Sequence, residues 1–298
     1  SEEEDVGSDR LMHFTEAKTL LGPRNGMNIY RGCTHGCIYC DSRSTCYGFS
    51  HPFEDVEVKR NAPELLDREL SSKKRKCMVG TGSMSDPYMP CERELLLTRR
   101  CLEKVRDRGF GISLITKSDL VLRDMDILDE INRKAKAVVQ MTVTTWDEDL
   151  CRILEPDVCG TARRFEVLDR LRDRGIPTLV WMTPILPFIN DTEENVSHIA
   201  DRCAEAGVKG IVCFDMGLTL RDGDRGYFYD ALDRDFPGMK ERYIRTYGTS
   251  YSLRSPSADR LMSVLKERCS RHGMMCGPDA CMGYAYSFPE RFRQTVLY

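Results

Sequence analysis

The chain has 298 residues, 41% hydrophobic and 31% charged, with a formal net charge of −3. This length permits a sizeable core and gives a soft expectation of about two domains. The near-balanced charge supplies no field that would draw in nucleic acid or an anionic membrane, and no apolar run approaches the roughly 20 residues of a membrane span.

In chain order, the first nine residues, "SEEEDVGSD", are acidic and open an expected tail over 1–20 with no basic-then-apolar leader. Short β-branched runs then alternate with helical patterns. The expected strands are 27–30, 77–81, 111–116, 137–143, 177–185 and 210–216. Between them fall helices over about 92–108, 122–134, 162–174 and 193–206, each with apolar residues at helical spacing and charge opposite. Three of these helices run into Gly109, Gly175 and Gly207, the expected stop. A run of four basic residues, 73–76, reads as a solvated helix end. Nearly continuous apolar strands alternating with amphipathic helices predict βαβ units around a parallel sheet covered by helices. Six such units are too few for a closed eight-stranded barrel. The expectation is therefore an α/β fold with a partial (β/α)6 barrel over 21–217 and a C-terminal helical extension over 218–298. The extension is rich in Tyr and Arg and ends in a helix over 256–271. It either covers the open end of the barrel or packs on its side.

Fourteen cysteines without a secretion signal suit the cytoplasm, where clustered thiols bind metal or do redox chemistry. The segment "YRGCTHGCIYCDSR" (30–43) places Cys33, Cys37 and Cys40 in a C-x3-C-x2-C pattern after a strand, punctuated by Gly32 and Gly36. Thiolates hold iron–sulfur clusters, normally four to a cluster. Three leave one iron open. A zinc site completed by His35, Cys46 or His51 is the alternative, although structural zinc sites are usually two spaced pairs.

The three-cysteine pattern, with Tyr39 just before the last cysteine, resembles the radical S-adenosylmethionine (SAM) superfamily. Four further stretches are similar to its spore photoproduct lyase-like, or DNA-repair photolyase-like, group: "GTGSMSDPYMPCE" (80–92), "ITKSDLVLRDMDIL" (115–128), "TVTTWDEDLCRILEP" (142–156) and "RLRDRGIPTLVWMTPILPFIND" (170–191). The resemblance implies a [4Fe-4S] cluster on Cys33, Cys37 and Cys40, its open iron chelated by SAM. It also implies reductive cleavage of SAM to a 5′-deoxyadenosyl radical that abstracts hydrogen from a substrate. A flavodoxin- or ferredoxin-type donor would supply the electron. By the same resemblance Tyr39 lies near the adenine, and Ser85, Lys117, Thr142, Thr144 and the backbone at Thr183 contact SAM. Lys117 suits a carboxylate as a point charge. Asp86 is either a ligand contact or a turn former before Pro87. Arg164 either reaches the SAM carboxylate or is a solvated helix charge.

Two positions depart from the lyase. Its hydrogen-donating cysteine falls at Ser83, and its tyrosine after the third cluster cysteine falls at Asp41; Cys77 and Cys91 are nearby substitutes. With the negative charge, these departures point away from DNA repair and toward another substrate. Cys269, Cys276 and Cys281, with His272 among them, raise an auxiliary iron–sulfur centre against simple unpaired thiols. Tyr227, Tyr229, Tyr243, Tyr247 and Tyr251 either line a substrate pocket or pack a small lid. A zinc-stabilised binding module without catalysis is the reading from another class.

Overall fold

Strands buried on both faces need helices on one side and something else on the other. A computed structural model describes residues 12–81 and 84–289 and shows how both faces are covered. Seven strands form one all-parallel sheet. Across the sheet they run Gly26–Met27, Met78–Thr81, Gly111–Thr116, Ala137–Thr142, Thr178–Trp181, Gly210–Val212 and Met275–Cys276. The first six fall on the expected strands, four of them with shorter ends, 111–116 unchanged and the first displaced to Gly26–Met27. The seventh comes from the extension, so that region is not purely helical. Its register, Met275 opposite Gly210, lets the chain end re-enter the sheet edge.

The run expected at 27–30 divides. Gly26–Met27 joins the main sheet, whereas Tyr30–Arg31 pairs antiparallel with Val56–Lys59 in a small second sheet. Met12–Thr15 completes that sheet, parallel to Val56–Lys59. Of the acidic tail expected over 1–20, residues 1–11 lie outside the described residues, and 12–15 are strand with Leu20 buried beyond it. Alternating Val56 and Val58, both buried, give this stretch an inward face that the acidic composition of the chain start does not reveal.

Helices Leu97–Asp107, Met125–Lys134, Thr161–Asp173 and Glu193–Glu205 cover the outer face, and the three expected glycine stops are in place. Ala62–Ser71 adds a helix whose Leu65, Leu66 and Leu70 bury one stripe. Strand parity separates the two faces of the sheet. Val139, Met141, Val180 and Ile211 face the helix layer, whereas Val138, Leu179 and Val212 face the concave side. There the last helix, Pro278–Tyr286, fills the bowl with Cys281 and Ala285.

The rest of the extension does the other job. Strands Gly217–Thr219 and Ser252–Arg254 form an antiparallel pair, and helices Asp224–Asp235 and Met239–Tyr247 lie between them in sequence. Their Leu218, Phe228, Leu232 and Tyr243 pack with Cys37, Ile38 and Tyr39 in a second apolar cluster. The extension thus covers the cysteine loop and also plugs the concave face. None of the described helices is long and apolar enough to cross a membrane.

A Cβ built on Gly80 would stand 2.8 Å from the Tyr286 hydroxyl. Gly80→Ala should therefore destabilise by about 1–3 kcal/mol through overpacking, and by less than half that in a Tyr286→Ala background. Urea unfolding of the four proteins checks this; equal costs in both backgrounds would place the helix elsewhere.

Candidate active site

At the C-terminal ends of the strands, where parallel α/β sheets hold ligands, a cavity of about 530 Å³ opens. One wall is the cysteine loop, with Cys33, Cys37, Cys40, His35 and Tyr39 all facing the space. The loop is bolted at both ends. Gly32 has φ +90, and a Cβ there would lie 2.4 Å from the Phe53 carbonyl oxygen, so only glycine passes. Cys33 N–H donates to that same carbonyl at 3.2 Å. Gly36, at φ +69, sits against Pro156 and Asp157. Ile38 N–H donates to Leu154 O at 3.0 Å, and Asp157 N–H to His35 O at 3.1 Å. The turn "LEPD" after the fourth expected strand is therefore the bracket of the cysteine loop.

Behind the loop lies a charged chain with no exposure. Arg164 and Glu155 have side chains 0% exposed and pair at 2.5 Å. Arg164 also donates to Thr142 O at 3.0 Å and to Cys159 O at 2.9 Å. The Tyr39 hydroxyl donates to the other Glu155 oxygen. Burial acts to raise the Glu155 carboxyl, yet Arg164 and Lys117 outweigh it and hold it below its ordinary range. Arg164 is thus neither a cavity contact nor a solvated helix charge. Its helix starts at Thr161, beside the loop, so the side chain runs inward beneath Tyr39.

Lys117 lines the cavity, its ammonium 5.9 Å from the Tyr39 ring centroid. Burial works to lower it, but Cys37, Glu155 and Cys40 together keep it above its ordinary value, so it stays a cation. Burial pushes the Cys37 thiol up to about 12 against the pull of Lys117, and raises Cys33 and Cys40 as well. Without a metal these thiols are neutral. Asp86 is the hub of the adjoining wall. It accepts from Tyr88 N–H, the Thr116 hydroxyl and Lys117 N–H, and lies 3.1 Å from His35 Nε2. Burial opposes its ionisation, but His35 and these donors hold it down to about 2. Both readings of Asp86 therefore apply, since it forms the turn and faces the cavity.

Ser85, Thr142 and Thr183 line the cavity too, and the Ser85 hydroxyl donates to Gly32 O at 2.8 Å. Thr144 does not. The strand ends at Thr142, so alternation stops, and the Thr144 hydroxyl turns to Glu155 at 3.5 Å. Asp41 faces the cavity, whereas Ser83 lies outside the described residues and Cys77 and Cys91 are not lining residues. The five extension tyrosines are not lining residues either; Tyr243, fully buried, donates to Pro187 O at 2.7 Å. Residues missed in the sequence make up the far wall: Trp181, Phe214, Asp215 and Arg254. Phe214 is 61% exposed and stands 5.8 Å from the Trp181 ring. Arg254 and Asp215 pair at 2.7 Å.

The loop geometry also bears on zinc. Ligands of a tetrahedral zinc ion lie roughly 3.5 Å apart. Among the described residues, the trio that gathers its ligand atoms within 4.8 Å of one another is not in this loop, and His51 belongs to that other trio. Cys46 meets Arg221 instead. The cysteine loop offers a wider span, suited to a bulkier group. His35 Nδ1, buried without a hydrogen-bond partner, is a polar atom left for such a group.

The Radical SAM superfamily pattern matches residues 27–203. The chain belongs to that superfamily. An uncharacterised protein of Mycobacterium tuberculosis is 30% identical over 230 residues, 75% of this chain and 67% of that protein. A radical SAM Nalpha-GlyT isomerase of Pseudomonas phage M6 is 24% identical over 243 residues, 81% of this chain and 45% of that protein. Among solved structures, a spore photoproduct lyase complexed with dinucleoside spore photoproduct superposes with a TM-score of 0.66. It is 13% identical and covers 89% of this chain and 81% of that one. The chain is therefore a radical SAM enzyme with the superfamily's α/β fold, and membership implies a [4Fe-4S] cluster, SAM and a reductant.

Leaving Arg164 without its carboxylate should be costly. Glu155→Leu is expected to lose about 3–5 kcal/mol, and Glu155→Leu with Arg164→Met clearly less. Because the Glu155 carboxyl is held low, its contribution is complete above the ordinary glutamate range and is lost as acid protonates it. The wild type should therefore lose stability on acidification more steeply than the double variant. Urea unfolding across pH checks both; identical costs for single and double variants would refute the pair.

Proposed function

We propose that Cys33, Cys37 and Cys40 hold the [4Fe-4S] cluster through three thiolates, and that the cavity beside them seats SAM. The observation that carries this reading is the meeting of those thiols with a buried, charged Lys117 on one cavity wall. When bound, the cluster supplies the electron that cleaves SAM to a 5′-deoxyadenosyl radical. The protein's own task is placement and exclusion. Lys117 offers the cation for the SAM carboxylate, and as a point charge it needs no fixed fork. Thr142, Ser85 and the Thr183 backbone offer uncharged hydrogen-bonding groups. Tyr39, pinned by Glu155, presents a ring face that cannot drift. The extension packs over Cys37, Ile38 and Tyr39 and so reduces water access on that side of the loop.

A single cluster fits this chain. Cys281 is buried among Val138, Leu179 and Val212 and packs on Gly210, which favours apolar packing over a second iron–sulfur centre with Cys269 and Cys276. We read the extension thiols as packing groups and expect about four irons per chain, where an auxiliary cluster would give about eight.

The far wall favours a planar substrate group, because Trp181 and the exposed Phe214 form an aromatic ledge at the cavity mouth. Every nucleobase has a face for such a ledge. A nucleotide-linked substrate, of the kind named for the lyase neighbour, is the second reading. It predicts binding of UV-irradiated DNA that weakens steeply with salt, and indifference to DNA at low salt would end it.

Anaerobic protein given dithionite and SAM should release 5′-deoxyadenosine. Cys37→Ala should abolish release, and Lys117→Ala should weaken SAM binding on the order of tenfold, the loss of one charge-assisted hydrogen bond. Chromatography of the nucleoside and equilibrium dialysis of SAM measure the two effects; an unchanged yield from Cys37→Ala would refute the ligand assignment.

A further inference from the structure

Outside the cavity, metal-ligating side chains converge in the small second sheet. His13, His51 and Asp55 each present a ligand atom, all within 4.8 Å of one another. His13 Nδ1 lies 2.9 Å from one Asp55 oxygen, and His51 Nδ1 lies 4.0 Å from the other. The two imidazole rings stand edge to face with centroids 4.6 Å apart. Parallel pairing of Met12 with Val56 carries His13 to this place, and a turn in which Asp55 N–H donates to Pro52 O fixes the other two. One Asp55 oxygen thus hydrogen-bonds His13, and the other lies near His51, whose Nδ1 also sits 3.0 Å from Pro52 O, a contact it would exchange for a metal. Among the described residues no lysine or arginine pairs with this half-buried carboxylate.

We propose that His13, His51 and Asp55 bind one divalent transition-metal ion of the zinc class, at a site separate from the cysteine loop and independent of the radical chemistry. Two imidazoles and one carboxylate match the nitrogen and oxygen donors that zinc takes at about 2.0–2.2 Å, whereas calcium and magnesium take oxygen alone. Tetrahedral ligands at that bond length stand roughly 3.4 Å apart, so the observed 2.9 and 4.0 Å bracket the requirement. Three protein ligands leave a fourth position for water or a further donor. The ion ties the strand Met12–Thr15 to the segment that returns from the cysteine loop. Phe53, within that segment, accepts the Cys33 N–H. Zinc therefore steadies the strut from which the first cluster cysteine hangs.

The test uses the untagged full chain with its cluster assembled anaerobically, so that the loop thiols are occupied. Zinc is added alone against a chromophoric chelator, bound metal is counted by mass spectrometry, and the zinc K-edge absorption spectrum is recorded. The expected result is one zinc per chain with a first shell of nitrogen and oxygen only. Binding should be weakened at least tenfold by His13→Ala and by Asp55→Asn. A sulfur-containing shell, no stoichiometric zinc, or affinities within twofold of wild type in both variants would overturn the site. The spectrum of the wild type decides even where a variant fails to fold.

Discussion

Everything at the cavity hangs on one buried ion pair. Arg164 and Glu155 face each other with no water access, and Tyr39 closes the chain from the cysteine loop. Two charges taken out of water are costly unless their remaining hydrogen-bonding capacity is met. Here Arg164 turns Nε to the Cys159 carbonyl and Nη1 to the Thr142 carbonyl as well as Glu155, and Glu155 takes the Tyr39 hydroxyl, while Arg164 Nη2 stays buried without a partner. The arrangement links the end of the fourth main-sheet strand, the "LEP" turn, the following helix and the cysteine loop at a single point. A shift of the loop toward or away from the sheet would strand a charge, so the pair acts as a register pin.

The same economy of charge governs the wall that faces the ligand. Asp86 is saturated by backbone and hydroxyl donors and by His35, so it keeps its charge without claiming Lys117's ammonium. Lys117, in turn, keeps its proton through Glu155 and, once they are ionised, the loop thiolates. Its cation is left facing the cavity, where a zwitterionic ligand's carboxylate can use it. Burial alone would make the thiols neutral, and a metal centre is what would hold them as thiolates. Cation, thiols and aromatic ring share one wall, and the extension packs against the buried half of the loop.

Much of this was legible in the sequence. Apolar strands alternating with amphipathic helices specify a parallel sheet, and three thiols within eight residues specify a metal-sized loop. What periodicity cannot show is where a side chain goes after a strand ends. Thr142 and Thr144 share a parity, but the chain turns between them, and only Thr142 reaches the cavity. Arg164 has the spacing of an ordinary helix charge; its burial depends on Glu155, whose role only the folded "LEP" turn creates. The seventh strand, Met275–Cys276, is two residues long, below what any pattern signals, and exists because the sheet edge at Gly210 accepts it. Trp181 reads as one more apolar strand residue, and its inward parity becomes informative once the concave face is known.

The account's central claim is that three thiolates leave one iron of the cluster open to SAM. Electron–nuclear double resonance of the reduced protein with isotope-labelled SAM tests it most directly. Couplings to the amino nitrogen and carboxylate oxygen of SAM are the predicted result. A cluster spectrum that labelled SAM leaves untouched, or a centre already closed by a fourth side chain, would contradict it.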